Sequence, residues 1–142
     1  MNDPYNLQRF VDAQDGIFET ALAEHRAGAK QSHWMWFVFP QLADLGRSST
    51  AKFYGIGGRD EAAGYLAHPL LGPRLLEAVE AILPWAHKRS AEQILGSIDA
   101  MKLRSSLTLF DAIEPGGLFA RGLRAFYDGP DEQTLALLAD AR

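Results

Sequence analysis

The stretch of this chain best equipped for chemistry is QSHWMWFVFPQL, residues 31–42, in which a histidine and a glutamine bracket a run of aromatic side chains. His33 stands before the run and Gln41 follows it. An imidazole can exchange a proton near neutral pH, and a carboxamide both donates and accepts hydrogen bonds. Together with an aromatic wall, these groups are typical of a site that binds a small polar molecule.

The aromatic run itself, Trp34–Phe39, fits either a buried helix or a buried strand, because periodicity cannot separate the two for a short apolar segment. We predict a helix, since no partner strand is visible elsewhere in the sequence. Ser32 is a suitable N-cap, and Pro40 would kink or end the helix. We expect this segment to be mostly buried, with Phe37 at its centre.

A helix would also bring the polar ends of the segment within reach of one ligand. His33, Phe37 and Gln41 would share a stripe about 12 Å long, compared with about 26 Å in a strand. Trp34 and Trp36 would point about 200° apart. At most one of these two tryptophans can therefore line a pocket, and the other must pack in the core.

A second group of candidate ligand contacts follows in LGRSSTAKFYGI. Residues 30–59 carry four basic side chains and a single acidic one in a chain that is acidic as a whole. A helix that begins at Ser48 or Ser49 would present free N–H groups beside Arg47, which suits a phosphate or a carboxylate, with Tyr54 close by in sequence. Ordinary helix capping explains the two serines equally well.

Arg74 and Lys102 complete the set of expected anion contacts. Lys102 lies one turn before Ser106, a residue that we expect to bond the carbonyl oxygen four residues earlier. No residue can be assigned a catalytic role. The histidines are scattered without metal-ligand spacing, and no cofactor motif is present, so neither a metal nor a cofactor is expected.

Composition indicates one globular domain over residues 1–142 and limits the possible functions. The absence of cysteine excludes disulfides, zinc–thiolate sites and cysteine nucleophiles. A net charge of −4 argues against general nucleic-acid binding. No signal-peptide pattern and no apolar stretch of about 20 residues is visible, so we expect a cytoplasmic protein without a membrane partner.

Helical periodicity dominates the chain and predicts an all-α, single-domain multihelical bundle with buried central helices. We expect eight or nine short helices in total. A stripe of Leu103, Leu107 and Phe110 marks a central helix. The expected start and stop signals are N-caps, a capping box and a C-terminal glycine. They lie at Asn6, Asp60, Asp99, the pair Ser90 and Gln93, and Gly28.

Four of these stretches, DPYNLQRFVDAQ, SHWMWFVFPQLADLGRSSTAKFYGI, EAAGYLAHPLLGPRL and MKLRSSLTLF, together with a terminal TLALL, resemble the bacterial family catalogued as domain of unknown function 1810. The resemblance covers residues 3–138. It implies a single-domain helical fold with buried central helices and no established activity. The label "calpastatin" that some members carry does not fit a composition typical of a packed core.

The order of elements is also similar to that of the NADAR family, helical proteins that act on N-glycosidic bonds of ADP-ribosylated or related nucleotide compounds. His33 and Gln41 occupy places similar to a histidine and a glutamine of that family. Gln31 and Ser32 stand where the family has a glutamate, so the chain departs from the family's pattern at that position. Two functions therefore remain open. One is a pocket protein or enzyme for an anionic nucleotide-like molecule, and the alternative is a non-catalytic helical protein-interaction module whose partner the sequence does not identify.

Overall fold

The chain folds into ten α-helices and two short 3₁₀ turns across residues 3–140, the part that the computed structural model describes. The ends of the predicted domain, residues 1–2 and 141–142, lie outside that range. The helices are α1 Gln8–Gln14, α2 Phe18–Ala27, α3 Met35–Val38, α4 Ser49–Phe53, α5 Arg59–Ala67, α6 Leu71–Ile82, α7 Ala91–Leu95, α8 Ser97–Ile113, α9 Leu118–Phe126 and α10 Glu132–Asp140. The 3₁₀ turns are Ala43–Leu45 and Leu83–Trp85.

The all-α prediction is confirmed. Within the described range, strand-like pairing is limited to one isolated parallel bridge between Leu42 and Ile56. No helix there combines the length and the apolar character needed to cross a bilayer.

The core forms around α8, the longest helix, which packs against α5, α7, α9 and α10. The predicted stripe of Leu103, Leu107 and Phe110 is buried. The Phe110 ring lies 5.5 Å from the Tyr65 ring and 5.6 Å from the Phe119 ring, measured between centroids. Burial of aromatic and branched side chains on one stripe is the main force that holds such a helix in a bundle.

Two of the predicted start and stop signals are confirmed. Ser90 and Gln93 form a reciprocal capping box at the start of α7. Gly28 ends α2 in the left-handed conformation with φ 68°. A side chain at this glycine would also collide with Trp85, since a Cβ atom would lie 2.5 Å from the indole ring. This position therefore requires glycine for conformation and for space.

Three predicted N-caps are wrong. Asn6 does not cap α1, because the Asp3 carboxylate accepts the hydrogen bonds from the N–H groups of Leu7 and Gln8 instead. Asp60 lies inside the first turn of α5. Asp99 lies inside α8, because Gly96 with φ 88° turns the chain directly from α7 into a helix that already begins at Ser97.

The aromatic run is helical only in part. The helix covers Met35–Val38, so His33 and Gln41 lie outside it, and the predicted stripe through them does not form. Ser32 does not cap the helix, because its hydroxyl donates to Glu24 on α2. The run is mostly buried, as predicted, but Phe37 at its centre is half-buried. Two tertiary contacts explain the short helix: Glu24 holds the chain before it, and the bridge to Ile56 holds the chain after it.

The prediction for Ser106 is also wrong. Ser105 bonds the carbonyl oxygen of Met101 one turn earlier, at 3.2 Å. Ser106 Oγ is buried, and no partner within residues 3–140 satisfies it.

Candidate functional site

A cleft of about 300 Å³ lies beside the first half of α8, and we call it the Lys102 cleft. Its wall combines cations, amides and a hydroxyl with exposed apolar side chains. The segment after α3 contributes Gln41 and Leu45; α8 contributes Ile98, Met101, Lys102, Arg104 and Ser105; and the chain around the start of α10 contributes Asp131 and Gln133. A small cavity with a few convergent polar groups and an apolar floor is the usual form of a small-molecule site.

The cation that defines the cleft is held in place from two sides. Lys102 Nζ lies 3.4 Å from the centroid of the Trp36 ring and 3.6 Å from Asp99 Oδ1. The other oxygen of Asp99 pairs with Lys30 Nζ at 2.9 Å. An ammonium restrained over an indole face loses little further freedom when an anion binds, which favours binding.

The remaining polar groups of the cleft are also anchored. Arg104 Nε donates to the carbonyl oxygen of Gly129 at 2.9 Å. Asp131 Oδ2 accepts the N–H of Thr134 at 2.9 Å, and the Thr134 and Ser105 hydroxyl groups at 2.6 and 3.3 Å. Asp131 is the carboxylate that lines the cleft. Nowhere in the described chain do three or more histidine or acidic side chains cluster as metal ligands would.

Trp34, two residues before Trp36, belongs to a different and fully buried environment. Its indole Nε1 donates to Glu24 at 2.7 Å. The same carboxylate accepts the N–H of Gln31 at 2.9 Å and the N–H and hydroxyl of Ser32 at 3.2 and 2.5 Å. Although desolvation opposes ionisation, the hydrogen bonds from Ser32, Gln31 and the indole lower the pKa of Glu24 from 4.5 to about 2. A carboxylate held ionised by four donors is a structural tie and is poorly suited to proton transfer near pH 7.

His25 lies next to the hydrogen-bonded pair of Glu24 and Trp34, and its ring is buried between two aromatic rings. Its ring centroid is 4.8 Å from that of Trp34 and 5.3 Å from that of Phe39. Burial lowers the pKa of His25 from 6.5 to about 4, despite opposing contributions from Ala21 and Glu24. The neutral ring donates from Nδ1 to the Ala21 carbonyl oxygen at 2.6 Å. Nε2 has no partner among the described residues, so this histidine acts as a packing group.

The residues predicted to form an anion site at the start of α4 lie at the surface. His33, Arg47, Ser48 and Ser49 are exposed. Ser48 caps α4, since its hydroxyl accepts the Ala51 N–H at 3.1 Å. α4 has only five residues, so its dipole is small. The capping explanation therefore accounts for Ser48 without a ligand.

Tyr54 and Arg74 are engaged in packing elsewhere. The Tyr54 ring contacts the Phe37 ring at a centroid distance of 5.4 Å. Arg74 Nη1 donates to Gln14 Oε1 at 3.2 Å, and its guanidinium lies 5.0 Å from the Phe18 ring.

Of the predicted contacts, the fold thus places Gln41 and Lys102 in one cleft with Trp36 behind the lysine. Sequence reasoning did not find Arg104, Ser105, Asp131 and Gln133, because nothing in their local pattern distinguishes them from ordinary surface positions.

Fold and cleft together define a helical protein with a small, polar-rimmed cavity beside its central helix. The chain belongs to the family described as protein of unknown function DUF1810, whose model matches residues 4–138. The search of curated proteins gives no match. Among solved structures, the chain is similar to the conserved hypothetical protein Rv1873 from Mycobacterium tuberculosis, a crystal structure at 1.38 Å. The two are 46% identical with a TM-score of 0.90, over 98% of this chain and all of that one.

Proposed function

We propose that this protein binds an anionic, nucleotide-like small molecule in the Lys102 cleft. The observation that carries the proposal is the restraint of Lys102 between the Trp36 face and Asp99 at the wall of that cleft. Arg104 supplies a second cation on the same wall. Exposed Ile98 and Met101 supply apolar area against which a flat ring can pack.

The polar groups support orientation as well as attraction. The side-chain amides of Gln41 and Gln133 both line the cleft, and each can donate and accept at once. That combination suits the edge of a base or the hydroxyl groups of a ribose. Asp131 also lines the cleft, and a carboxylate can accept hydrogen bonds from the hydroxyl groups of a ribose.

The test is a thermal-shift titration of the protein with AMP, ADP-ribose and inorganic phosphate. We expect the melting temperature to rise with AMP and ADP-ribose in a concentration-dependent way, and Lys102→Met to abolish the rise. Lys52→Met is the matched control, since Lys52 is exposed on α4 and does not line the cleft. No shift at millimolar concentration with any of the three probes would refute the proposal.

A second function, a protein-interaction module, is favoured by one observation. Ile98 and Met101 lie side by side on α8 and are 69% and 70% exposed, which is high for apolar side chains. Replacing both with serine separates the two functions. Loss of nucleotide binding would favour the pocket, whereas unchanged nucleotide binding with loss of self-association or partner binding in size-exclusion chromatography would favour the module.

A further inference from the structure

The Lys102 cleft is one of three adjoining cavities. A middle cavity of about 190 Å³ shares Met101 and Arg104 with the cleft. A third cavity of about 370 Å³, beside the loop before α7, shares Ser90 and Phe126 with the middle one. The shared lining residues place the three cavities next to one another, and we call this row of cavities the groove.

The charge of this groove is opposite to that of the chain. Its lining holds four cations, Lys88, Arg89, Lys102 and Arg104, and two carboxylates, Glu92 and Asp131. The whole chain has 14 basic and 18 acidic side chains. No carboxylate within the described range pairs with Lys88, Arg89 or Arg104, whereas Lys102 is paired with Asp99, so the groove keeps a smaller positive excess. The net charge therefore hides a local strip of positive potential.

Each cavity also pairs a lining cation with an aromatic ring. Arg89 lies 4.8 Å and Lys88 5.9 Å from the Trp85 ring at one end. Arg104 lies 5.7 Å from the Tyr127 ring in the middle. Lys102 lies over Trp36 at the other end. Phe126 and Tyr127 themselves line the middle cavity, so rings on which bases can stack lie between the two cationic ends, as in proteins that bind single-stranded nucleic acid.

We propose that the ligand of the Lys102 cleft is part of a short single-stranded oligonucleotide that follows this groove to the Lys88–Arg89 cluster. The inference rests on the proposed function and names its ligand class. One nucleotide occupies the Lys102 cleft, a base stacks beside Phe126 and Tyr127 in the middle cavity, and a further phosphate meets Lys88 and Arg89.

The experiment measures fluorescence anisotropy of a labelled eight-nucleotide single-stranded DNA, with AMP and inorganic tripolyphosphate as competitors. Lys102→Met should weaken binding of both AMP and the oligonucleotide. Lys88→Gln should weaken the oligonucleotide roughly three- to tenfold and leave AMP unchanged. It should also reduce the slope of log affinity against log salt by about 0.7, the value for one phosphate contact on a single strand. Lys52→Gln is the control for nonspecific charge.

Two results would overturn the proposal while leaving the nucleotide cleft intact. One is AMP binding that depends on Lys102 together with oligonucleotide binding that Lys88→Gln does not change. The other is inorganic tripolyphosphate that binds as tightly as the oligonucleotide, which would show that the bases contribute nothing. Failure of AMP and the oligonucleotide alike would refute the proposed function as well.

Discussion

Trp34 and Trp36 lie two residues apart, yet they have different surroundings and different consequences. Trp34 is fully buried, and its N–H is bound to the ionised Glu24. Trp36 is half-buried and carries the Lys102 ammonium on its face. The first tryptophan fixes the fold, and the second supports the wall of a cleft. The comparison shows that an aromatic run can contribute to the core and to a cleft at once, here with Trp34 just before α3 and Trp36 inside it.

The largest expected effect comes from removing the buried ring. Trp34→Ala should lower the free energy of unfolding by about 3–5 kcal/mol, because it empties a packed site and leaves Glu24 without one of its donors. Trp36→Ala should cost less, about 1–2 kcal/mol, because part of that ring is already in contact with water. Urea denaturation of the two variants measures the difference. Equal costs would break the distinction between the two tryptophans.

The next effect concerns Glu24 and depends on pH. A carboxyl whose pKa falls from 4.5 to about 2 on folding stabilises the fold fully above pH 4.5, and that contribution is lost as the pH falls toward 2. Glu24→Gln should therefore destabilise the protein at pH 7, and the difference from wild type should shrink between pH 4.5 and 2.

The control for this prediction is Glu80→Gln, an exposed position on α6. His25 also contributes to pH dependence, but in a different window. Its pKa falls from 6.5 to about 4 on folding, so its neutral form favours folding above pH 6.5, and this advantage declines as the pH drops toward 4. Melting curves across pH 2–7 separate the two groups. A Glu24→Gln difference that stays constant below pH 4.5 would contradict the role of this carboxylate as a tie.

A smaller effect is expected from Asp99. Its carboxylate pairs with Lys30 near the buried Trp34 and with Lys102 over Trp36 at the cleft. Lys30 Nζ lies 5.1 Å from the Trp34 ring, so this lysine belongs to the buried side. Asp99→Asn should cost roughly 1 kcal/mol, since the pairs are partly exposed. A double-mutant cycle of Asp99→Asn with Lys102→Met tests the link in urea denaturation. Additive costs would show that the aspartate does not position the lysine.

The smallest effect is expected at Arg47. This side chain is exposed and forms no hydrogen bond or ion pair within residues 3–140. Arg47→Ala should change the free energy of unfolding by less than about 0.5 kcal/mol. It should also leave AMP binding unchanged if the ligand occupies the Lys102 cleft. Weaker AMP binding in this variant would move the site toward α4.

Local sequence signals determined the helical class, the buried stripe of α8, the Gly28 terminus and the Ser90–Gln93 box. Each of these depends on residues within one or two turns of each other, so spacing alone carries the information. The same reasoning predicted that at most one of Trp34 and Trp36 lines a site, but it assumed a helix through both residues, and Trp34 lies before α3.

Tertiary contacts decided the rest. Glu24 reaches Ser32 and Trp34 from another helix, which shortened the predicted aromatic helix and removed Ser32 as its cap. The Lys102 cleft joins residues around Gln41 with residues around Asp131, about ninety positions apart in the chain. No periodicity or motif encodes which distant side chains become neighbours, because that choice is made by the packing of whole helices against α8.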